Sequence, residues 1–333
     1  MNHEDSKRRY IIYGSGAVGC TIGARLWREN IGVTLVARGE HGRHLQEKGL
    51  HFLTPELDEV LQIPTVTDVS EIDFNDDTVV LLCVKSQHTQ MALEQLASSA
   101  PAKLPICCVQ NGVSNERLAL RFFSNVYATL VNLPAMYLSA GEVASYVTGV
   151  AGVLDTGQFP SGVDVLAKGI TQDLRRAGFA ATADSKVMRK KYAKLLMNLG
   201  NAVQAIITQS DGLKSIYQSL RKEAEECYLA EALEWASRQE MSDIAEGLIM
   251  GKVPGYEITA GSSWQSLKRS TGDIETEYLN GEISLLGRMN KISTPYNDFF
   301  VILAREFVRD RRQPGSMPLE EFLTRFDFFR SKG

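Results

Sequence analysis

Short apolar runs alternate with helix-like segments along the first half of the chain. The run at 78–84 (TVVLLCV) is continuously apolar, as expected of a strand that is buried on both faces of a sheet. In the intervening segments, apolar residues recur every three or four positions, which predicts helices with one buried face. Strands are predicted at 11–13, 33–37, 78–84, 105–109 and 126–131, and helices at 17–30, 40–48, 86–97 and 115–123. This βα alternation predicts a doubly wound, Rossmann-type parallel sheet.

The pattern changes in the second half of the chain. Strand-like, glycine-rich sequence at 137–155 precedes a predicted helix at 161–176, with candidate strands at 142–148, 150–155 and 179–182. Helical spacing then dominates at 186–209, 213–239, 242–249 and 274–290. We therefore predict an α/β dinucleotide-binding domain at 1–184 and an all-helical domain at 185–333. The last segment, 310–333, is predicted to resume as a short helix from Pro318 and to pack on its own domain.

Composition excludes several classes of partner. A length of 333 residues suits two domains, and a net charge of −4 argues against a nucleic acid or an anionic membrane as the main partner. No apolar stretch approaches the roughly 18 residues that span a bilayer, and no signal-peptide pattern opens the chain. The five cysteines are odd in number and lack metal-ligand spacing. We therefore expect a reduced, cytoplasmic protein without a metal site.

A glycine motif follows the first predicted strand directly. Gly14 permits a tight turn, Gly16 lets the backbone approach a pyrophosphate, and Gly19 allows the next helix to pack on the strand. The N-terminus of that helix offers unsatisfied N–H groups to the phosphates. This placement indicates a dinucleotide site formed by Gly14, Ser15, Gly16, Ala17, Val18 and Gly19.

The end of the second strand indicates which nicotinamide cofactor is bound. An NAD site usually carries an acidic residue there, whereas an Arg accommodates the 2′-phosphate of NADP. This chain has no carboxylate at that place and carries Arg38, which favours NADP because a guanidinium forms bidentate bonds with phosphate. The alternative is that Arg38 is a solvated loop residue.

Polar residues also follow two later strands. Lys85 comes after the strand at 78–84, and Asn111 comes after the strand at 105–109. Ligands of open α/β sheets bind at the carboxyl ends of the strands, so both residues are candidates for cofactor contact. The alternative for Asn111-Gly112 is an ordinary turn, which this dipeptide favours by itself.

A second candidate group opens the helical half. Asn198 and Asn201 follow Lys194 by four and seven positions, so a continuous helix places all three on one face. Because Lys194 is followed by three apolar residues, we interpret it as a functional lysine. Lys190 and Lys191 instead fit a solvated, charged face.

Two further stretches carry polar residues of uncertain purpose. One is 262–267, which begins with Ser262-Ser263, and the other follows a predicted break at 270–272. There Asp273 is a candidate helix N-cap, and Glu275 and Glu277 would suit a helix N-terminus. Local physics does not separate that structural role from a functional one.

Six short motifs in one order resemble the ketopantoate reductase (2-dehydropantoate 2-reductase) family. They are GxGAVG at 14–19, VK at 84–85, QNG at 110–112, KxxKLxxN at 191–198, SSWQ at 262–265 with Glu275 twelve residues after its second Ser, and TPxN at 294–297. The resemblance runs from about Tyr10 to Val308. It implies a Rossmann domain joined to a helical domain, with the active site in the cleft between them.

The resemblance also implies roles for individual residues. The proton donor falls on Lys194, and substrate binding falls on Asn198 and Ser263, with Asn201 as a further candidate. Glu275 would line the junction of cofactor and substrate. The implied cofactor contacts are Gly14 to Gly19, Arg38, Lys85, Asn111, Ala135 and Glu275.

One departure concerns the substrate. The family pattern has a second Asn eight residues after the lysine, where this chain has Ala202, and Asn201 is offset by about 100° around a helix. We therefore expect NADPH-dependent reduction of a 2-oxo acid, with ketopantoate to pantoate implied by the resemblance. The alternatives are another 2-oxo acid or an imine as substrate, or a non-catalytic NADPH-binding sensor. The sequence does not specify the oligomeric state, and a homodimer remains one alternative.

Overall fold

The chain forms two compact units, each described here by itself. The computed structural model describes residues 7–257, 261–269 and 274–332. Of these, 7–191 and 237–257 form the first unit, and 192–236, 261–269 and 274–332 form the second. This division differs from the predicted boundary after residue 184, because 185–191 and 237–257 belong to the first unit.

Strands occur only in the first unit among the described residues. They are β1 (Arg9–Tyr13), β2 (Gly32–Val36), β3 (Leu50–Leu53), β4 (Asp58–Leu61), β5 (Thr65–Val66), β6 (Thr78–Leu82), β7 (Ile106–Cys108), β8 (Val126–Thr129), β9 (Ala135–Ser139), β10 (Glu142–Ser145), β11 (Val147–Gly149), β12 (Thr156–Gln158) and β13 (Leu248–Met250). The described part of the second unit therefore consists of helices joined by loops, with one isolated bridge between Ile207 and Met317, which agrees with the predicted fold class.

Helices occur in both units, and one of them contributes residues to each. The helices are α1 (Ala17–Arg28), α2 (Gly39–Lys48), α3 (Thr89–Ser99), α4 (Asn115–Ala119), α5 (Val165–Arg176), α6 (Val187–Asn198), α7 (Gly200–Ile206), α8 (Lys214–Ala230), α9 (Arg238–Ala245), α10 (Ser262–Lys268), α11 (Asn280–Asn290), α12 (Pro295–Arg309) and α13 (Leu319–Ser331). Short 3₁₀ turns lie at Val69–Glu71, Ser86–His88, Asp211–Leu213 and Glu275–Tyr278. The helix shared by the units is α6.

The main sheet has seven strands in the order β12-β8-β7-β6-β1-β2-β5. All neighbours are parallel except β12, which runs antiparallel to β8. At its centre, Tyr13 of β1 lies opposite Val36 of β2 and Leu82 of β6. The strand order reverses between β1 and β6, so the carboxyl ends of these strands form the switch point where such sheets bind ligands. The structure confirms the predicted Rossmann-type sheet.

Two predictions for the first unit are wrong in detail. The helix predicted at 242–249 ends at Ala245, and 248–250 instead form β13, which pairs antiparallel with β11. The strand predicted at 150–155 is reduced to isolated bridges at Val153, and β12 follows it. A second sheet has the order β4-β3-β10-β9; β10 lies within the strand predicted at 142–148, whereas β3 and β4 were not predicted. The partners of β13 and Val153 are distant in sequence, so local periodicity did not report them.

The second unit is a group of packed helices. α10 packs on α7, and α11 packs on α8 and α12. The C-terminal helix α13 packs on α12 through stacked rings, including Phe322 on Phe300 and Phe329 on Phe299. No helix in the described part of the chain has the length and apolar character to cross a membrane.

Candidate functional site

The glycine-rich loop after β1 is shaped by two different constraints. Gly14 has a φ of +106°, and a Cβ atom there would lie 2.5 Å from the Val84 nitrogen. A Cβ atom on Gly19 would lie 2.3 Å from the Gly14 carbonyl oxygen. Both glycines are therefore required by the protein's own packing.

Gly16 differs from these two glycines because it faces open space. A Cβ atom on Gly16 would meet no heavy atom within 4 Å. The residue is also the N-cap of α1 and provides no side-chain hydrogen bond to the helix. The first N–H groups of α1 thus remain available to an anion, and the dipole of this helix favours negative charge there. The loop fits the pyrophosphate of a dinucleotide.

A cavity of ≈ 400 Å³ lies at the carboxyl ends of β1, β2 and β6. This volume is within the range of small-molecule sites. Of the predicted cofactor residues in the first unit, its lining includes Gly14, Ser15, Gly16, Arg38 and Lys85 but not Ala17, Val18, Gly19, Asn111 or Ala135. The lining also contains His41 and His88, which the sequence analysis did not single out.

Arg38 is held at this cavity by side chains from two other elements. Its Nη2 donates to the Tyr13 hydroxyl at 3.0 Å and also to Gln95 Oε1. Tyr13 ends β1, and Gln95 lies on α3. The guanidinium is nevertheless exposed, so it remains accessible to a phosphate. These contacts are more specific than those of a freely solvated loop residue.

His41 of α2 connects the glycine-rich loop to Gly141 through its two ring nitrogens. Its Nδ1 accepts a hydrogen bond from the Gly141 N–H at 2.9 Å. Its Nε2 lies 2.6 Å from the Ser15 carbonyl oxygen, so this nitrogen carries the proton in the neutral ring. Tyr137 meets the imidazole edge-on, with ring centroids 5.0 Å apart. Burial lowers the pKa of His41.

The turns that carry Lys85 and Asn111 are joined by buried amides. Gln110 Nε2 donates to the Val84 carbonyl oxygen at 2.8 Å. Asn115 Nδ2 donates to the Asn111 carbonyl oxygen at 3.3 Å and to Ser86 Oγ at 3.2 Å. The two turns are thus fixed relative to each other, beyond what an isolated Asn-Gly turn would require.

The prediction that Lys190 and Lys191 form a solvated face is wrong. Lys190 Nζ lies 2.6 Å from Asp155 and 2.8 Å from Asp184. Lys191 is only 3% exposed, and its Nζ lies 2.6 Å from Glu116 Oε1. The sequence did not reveal these pairs because the carboxylates come from three separate segments of the chain.

In the second unit, Lys194 and Asn198 lie one turn apart at the end of α6. Lys194 is half-buried and Asn198 is buried. Desolvation lowers the pKa of Lys194. This combination is uncommon for an ordinary surface lysine and suits a group that exchanges a proton.

Asn201 lies just beyond the end of α6, the helix of Lys194 and Asn198. The helix is interrupted at Leu199, and Asn201 belongs to the next helix, α7. At the interruption, the Leu199 carbonyl oxygen accepts a hydrogen bond of 3.3 Å from Asn280 Nδ2. Leu199 keeps helical backbone angles (φ −56°, ψ −31°), so the orientation of Asn201 relative to Lys194 stays a prediction.

Ser263 lies on α10, which packs on the helix of Asn201. A Cβ atom on Gly261, two residues before Ser263, would lie 3.3 Å from Asn201 Oδ1. The Ser263 side chain is 2% exposed, and its Oγ has no hydrogen-bond partner among the described residues. A buried hydroxyl without a partner is costly, so this group is suited to a hydrogen bond with a ligand.

Glu275 begins a 3₁₀ turn and precedes α11 by a full turn. It is half-buried, whereas Glu277 forms a surface ion pair of 2.7 Å with Arg305. Asp273, the candidate N-cap, lies outside the described residues. Glu277 is thus explained by surface pairing, and Glu275 stays a predicted site residue.

The TPxN motif at 294–297 has a structural role. Asn297 is fully buried, and its backbone N and side-chain Nδ2 donate to Glu223 Oε2 at 3.0 and 2.7 Å. Its Oδ1 accepts from Asn280 Nδ2 at 3.1 Å. This network connects the start of α12 to the interruption at Leu199. Among the described residues, no cluster of His, Cys, Asp and Glu could hold a metal ion.

Comparison with known proteins matches most of the chain to one family. The model "Ketopantoate reductase PanE/ApbA" matches residues 10–161, and its C-terminal counterpart matches 186–307. A 2-dehydropantoate 2-reductase of Lactococcus lactis subsp. lactis (strain IL1403) is 23% identical over 310 residues, covering 89% of this chain and 96% of the relative.

Solved structures show the same fold. A PanE/ApbA family ketopantoate reductase from Ralstonia eutropha JMP134 is similar with a TM-score of 0.76 and 24% identity, covering 92% of this chain and 100% of the other. D-mandelate dehydrogenase, in a ternary structure with NADH and anilino(oxo)acetate, is similar with a TM-score of 0.78 and 20% identity, covering 92% and 99%.

Proposed function

Because the chain belongs to the ketopantoate reductase family, an oxidoreductase family, we propose that it reduces a 2-oxo acid to a 2-hydroxy acid with NADPH and with Lys194 as proton donor. The observation that carries this proposal is the half-buried Lys194, whose pKa is lowered by desolvation, one turn from the buried amide of Asn198. A non-catalytic NADPH sensor has no need of such a lysine.

The first unit would hold the cofactor. Its pyrophosphate would lie against the open side of Gly16 and the N-terminus of α1, and Arg38 would bind the 2′-phosphate. Lys85 and Asn111 would contact the half of the cofactor beyond the switch point. When bound, NADPH supplies the hydride that reduces the C2 carbonyl carbon.

Lys194 would act on the other end of the carbonyl group. As negative charge develops on the carbonyl oxygen, the ammonium donates a proton to it. Desolvation helps because it brings the pKa of Lys194 closer to a neutral operating pH, which makes the ammonium a stronger acid. The Asn198 amide and the Ser263 hydroxyl would bind the substrate's carboxylate or hydroxyl group. Asn201 would provide a further contact to the substrate, and Glu275 would contact the substrate and the cofactor.

The substrate itself has two candidates. The names of the relatives favour ketopantoate. Ala202 and the similarity to D-mandelate dehydrogenase favour a second candidate, a 2-oxo acid with an aromatic side chain. Ala202 is buried and apolar where the family pattern has an amide, so the site has one polar contact fewer for a hydroxylated substrate.

The test is the oxidation of NADPH, followed by absorbance, against ketopantoate, phenylglyoxylate and simple aliphatic 2-oxo acids, with NADH in parallel. We expect NADPH to be oxidised with at least one 2-oxo acid. Binding of NADPH without oxidation by any member of the panel would favour the sensor. A preference for NADH would contradict the assignment of Arg38, and light scattering of the same preparation tests the homodimer.

A further inference from the structure

Lys191 places its ammonium group at the carboxyl ends of two neighbouring strands. Its Nζ donates to the Gln110 carbonyl oxygen at 2.9 Å and lies 3.3 Å from the Thr129 carbonyl oxygen. Gln110 follows β7, and Thr129 ends β8. The third contact is the ion pair with Glu116 Oε1, so three oxygen atoms surround the ammonium group.

Glu116 depends on this lysine for the stability of its charge. It is 0% exposed, and neither carboxylate oxygen has a hydrogen-bond partner among the described residues, so the ion-pair contact of Oε1 with Lys191 is what compensates its charge there. Removing one member of a buried ion pair leaves the other charge uncompensated in a medium of low dielectric constant. Lys191 and Glu116 therefore form one ionic unit.

This ion pair is continuous with the amides that connect the two cofactor turns. Gln110, whose carbonyl Lys191 binds, uses its side chain to bond the Val84 carbonyl oxygen and Thr89 Oγ1, both at 2.8 Å. Asn115, adjacent to Glu116, accepts from Thr89 Oγ1 at 2.8 Å. The same Asn115 amide donates to the carbonyl oxygen of Asn111 and to Ser86 Oγ, as described above. Lys191 is thus connected to the two turns through Gln110, and Glu116 is connected to them through the adjacent Asn115.

We propose that Lys191 and Glu116 are positioning residues that hold these two turns in the geometry required by the nicotinamide half of the cofactor. In a sheet of this topology, the two halves of a dinucleotide lie on opposite sides of the switch point. Arg38 and α1 belong to the side of β2, and the ion pair belongs to the side of β7 and β8. The inference rests on the proposed function, because it assumes that the turns bind a nicotinamide cofactor.

The test separates the two halves of the cofactor. NADPH and 2′,5′-ADP, which lacks the nicotinamide half, are titrated calorimetrically into the full-length protein and its Lys191→Met variant. We expect the substitution to weaken NADPH binding by between about ten- and a hundredfold, the loss expected when a charge-assisted hydrogen bond to the nicotinamide half is weakened or lost. Binding of 2′,5′-ADP should change less than about twofold, because the 2′-phosphate and phosphate-loop contacts are intact. Lys190→Met is the control, expected to change the affinity ratio of the two ligands little.

Each outcome bears on the inference. A Lys191→Met protein that binds both ligands like the wild type overturns it. If that variant does not fold, Glu116→Gln decides, because it keeps the carbonyl contacts of Lys191 while removing the negative charge. A loss confined to NADPH supports the positioning role, whereas equal loss for both ligands or no loss overturns it. Failure of the wild-type protein to bind either ligand would instead overturn the proposed function.

Discussion

The imidazole of His41 and the carbonyl group of Ser15 are joined by a contact of 2.6 Å inside the candidate cofactor site. The opposite ring nitrogen accepts the N–H of Gly141. A protonated imidazole has no acceptor nitrogen, so this arrangement requires the neutral ring. Burial is the largest cause of the lowered pKa of His41; the bond to Ser15 opposes it, and nearby His44 adds to it.

We predict a pH-dependent stability contribution from His41. Its pKa in the folded state is below the value of about 6.5 in the unfolded chain, so the unfolded state binds the proton first. The contribution is thus fully present above about pH 6.5 and is lost as pH falls below it. His41→Gln keeps one donor and one acceptor but does not titrate. When the free energy of unfolding is measured with urea between pH 5 and 8, it should change less with pH in this variant than in the wild type. An equal pH dependence in both proteins would contradict the assignment.

Gly16 and Gly19 should respond in opposite ways to alanine. Gly19→Ala forces a Cβ atom to 2.3 Å from the Gly14 oxygen and should lower the free energy of unfolding by about 1–3 kcal/mol or more. Gly16→Ala meets no protein atom and should change it by less than about 0.5 kcal/mol. Gly16→Ala should still weaken NADPH binding, because the added methyl group occupies the space proposed for the pyrophosphate. Thermal unfolding and NADPH titration measure the two effects. Unaltered NADPH affinity in Gly16→Ala would contradict the assignment of the open space beside Gly16 to the pyrophosphate.

Arg38→Ala should reduce the preference for NADPH. A charge-assisted hydrogen bond contributes about 1.5–3 kcal/mol, so KM for NADPH should rise roughly 10- to 100-fold while KM for NADH changes little. Arg43→Ala, which removes an exposed arginine of the adjacent helix α2, is the matched control. Equal losses with both cofactors would show that Arg38 does not recognise the 2′-phosphate.

Lys194→Ala should lower kcat by roughly 10²–10⁴, or about 3–5 kcal/mol of barrier. Because reduction needs the ammonium form, the wild-type rate should fall as pH rises through the pKa of Lys194. Desolvation lowers that pKa, so the fall should begin below the value of about 10.4 for a free lysine. Steady-state kinetics across pH measures both effects, with Lys190→Ala as control. Turnover retained in Lys194→Ala but abolished in Lys190→Ala would show that the donor is misassigned.

Ser263→Ala should separate substrate binding from stability. No hydrogen bond to described residues is lost, so unfolding should be nearly unchanged. A bond from this hydroxyl to a substrate carboxylate would make KM for the 2-oxo acid rise roughly tenfold or more, with KM for NADPH unaffected. The neighbouring exposed Ser262→Ala is the control. A shift confined to the cofactor would place Ser263 in a different role.

Local chemistry explains which parts of the site were predictable. Gly14 and Gly19 follow from the motif because a turn and a helix contact demand the absence of a side chain, and the structure shows both constraints. Arg38 follows from its position after β2. The partners of Gly19 lie within one βαβ unit, so residue spacing carries their geometry. Val84, which limits Gly14, and Gln95, which bonds Arg38, lie outside that unit and were not predictable from the motif.

Distant contacts explain what was missed. Apolar periodicity runs through Leu199, and the interruption there coincides with the amide of Asn280 from another helix. Lys191 resembles Lys190 in sequence, yet its burial depends on Glu116 and on the ends of β7 and β8. Neither arrangement leaves a local signal, because the partners meet only after the chain has folded.

The pairing of Lys191 with Glu116 also constrains how this sequence can diverge. A neutral residue at only one of the two positions leaves the other charge buried without a partner, which destabilises the fold. Replacement of both residues by apolar residues of similar size avoids this destabilisation. Related sequences should therefore vary at positions 116 and 191 together, as an acid with a base or as two uncharged residues. Such covariation would be an evolutionary record of a contact that the single sequence does not display.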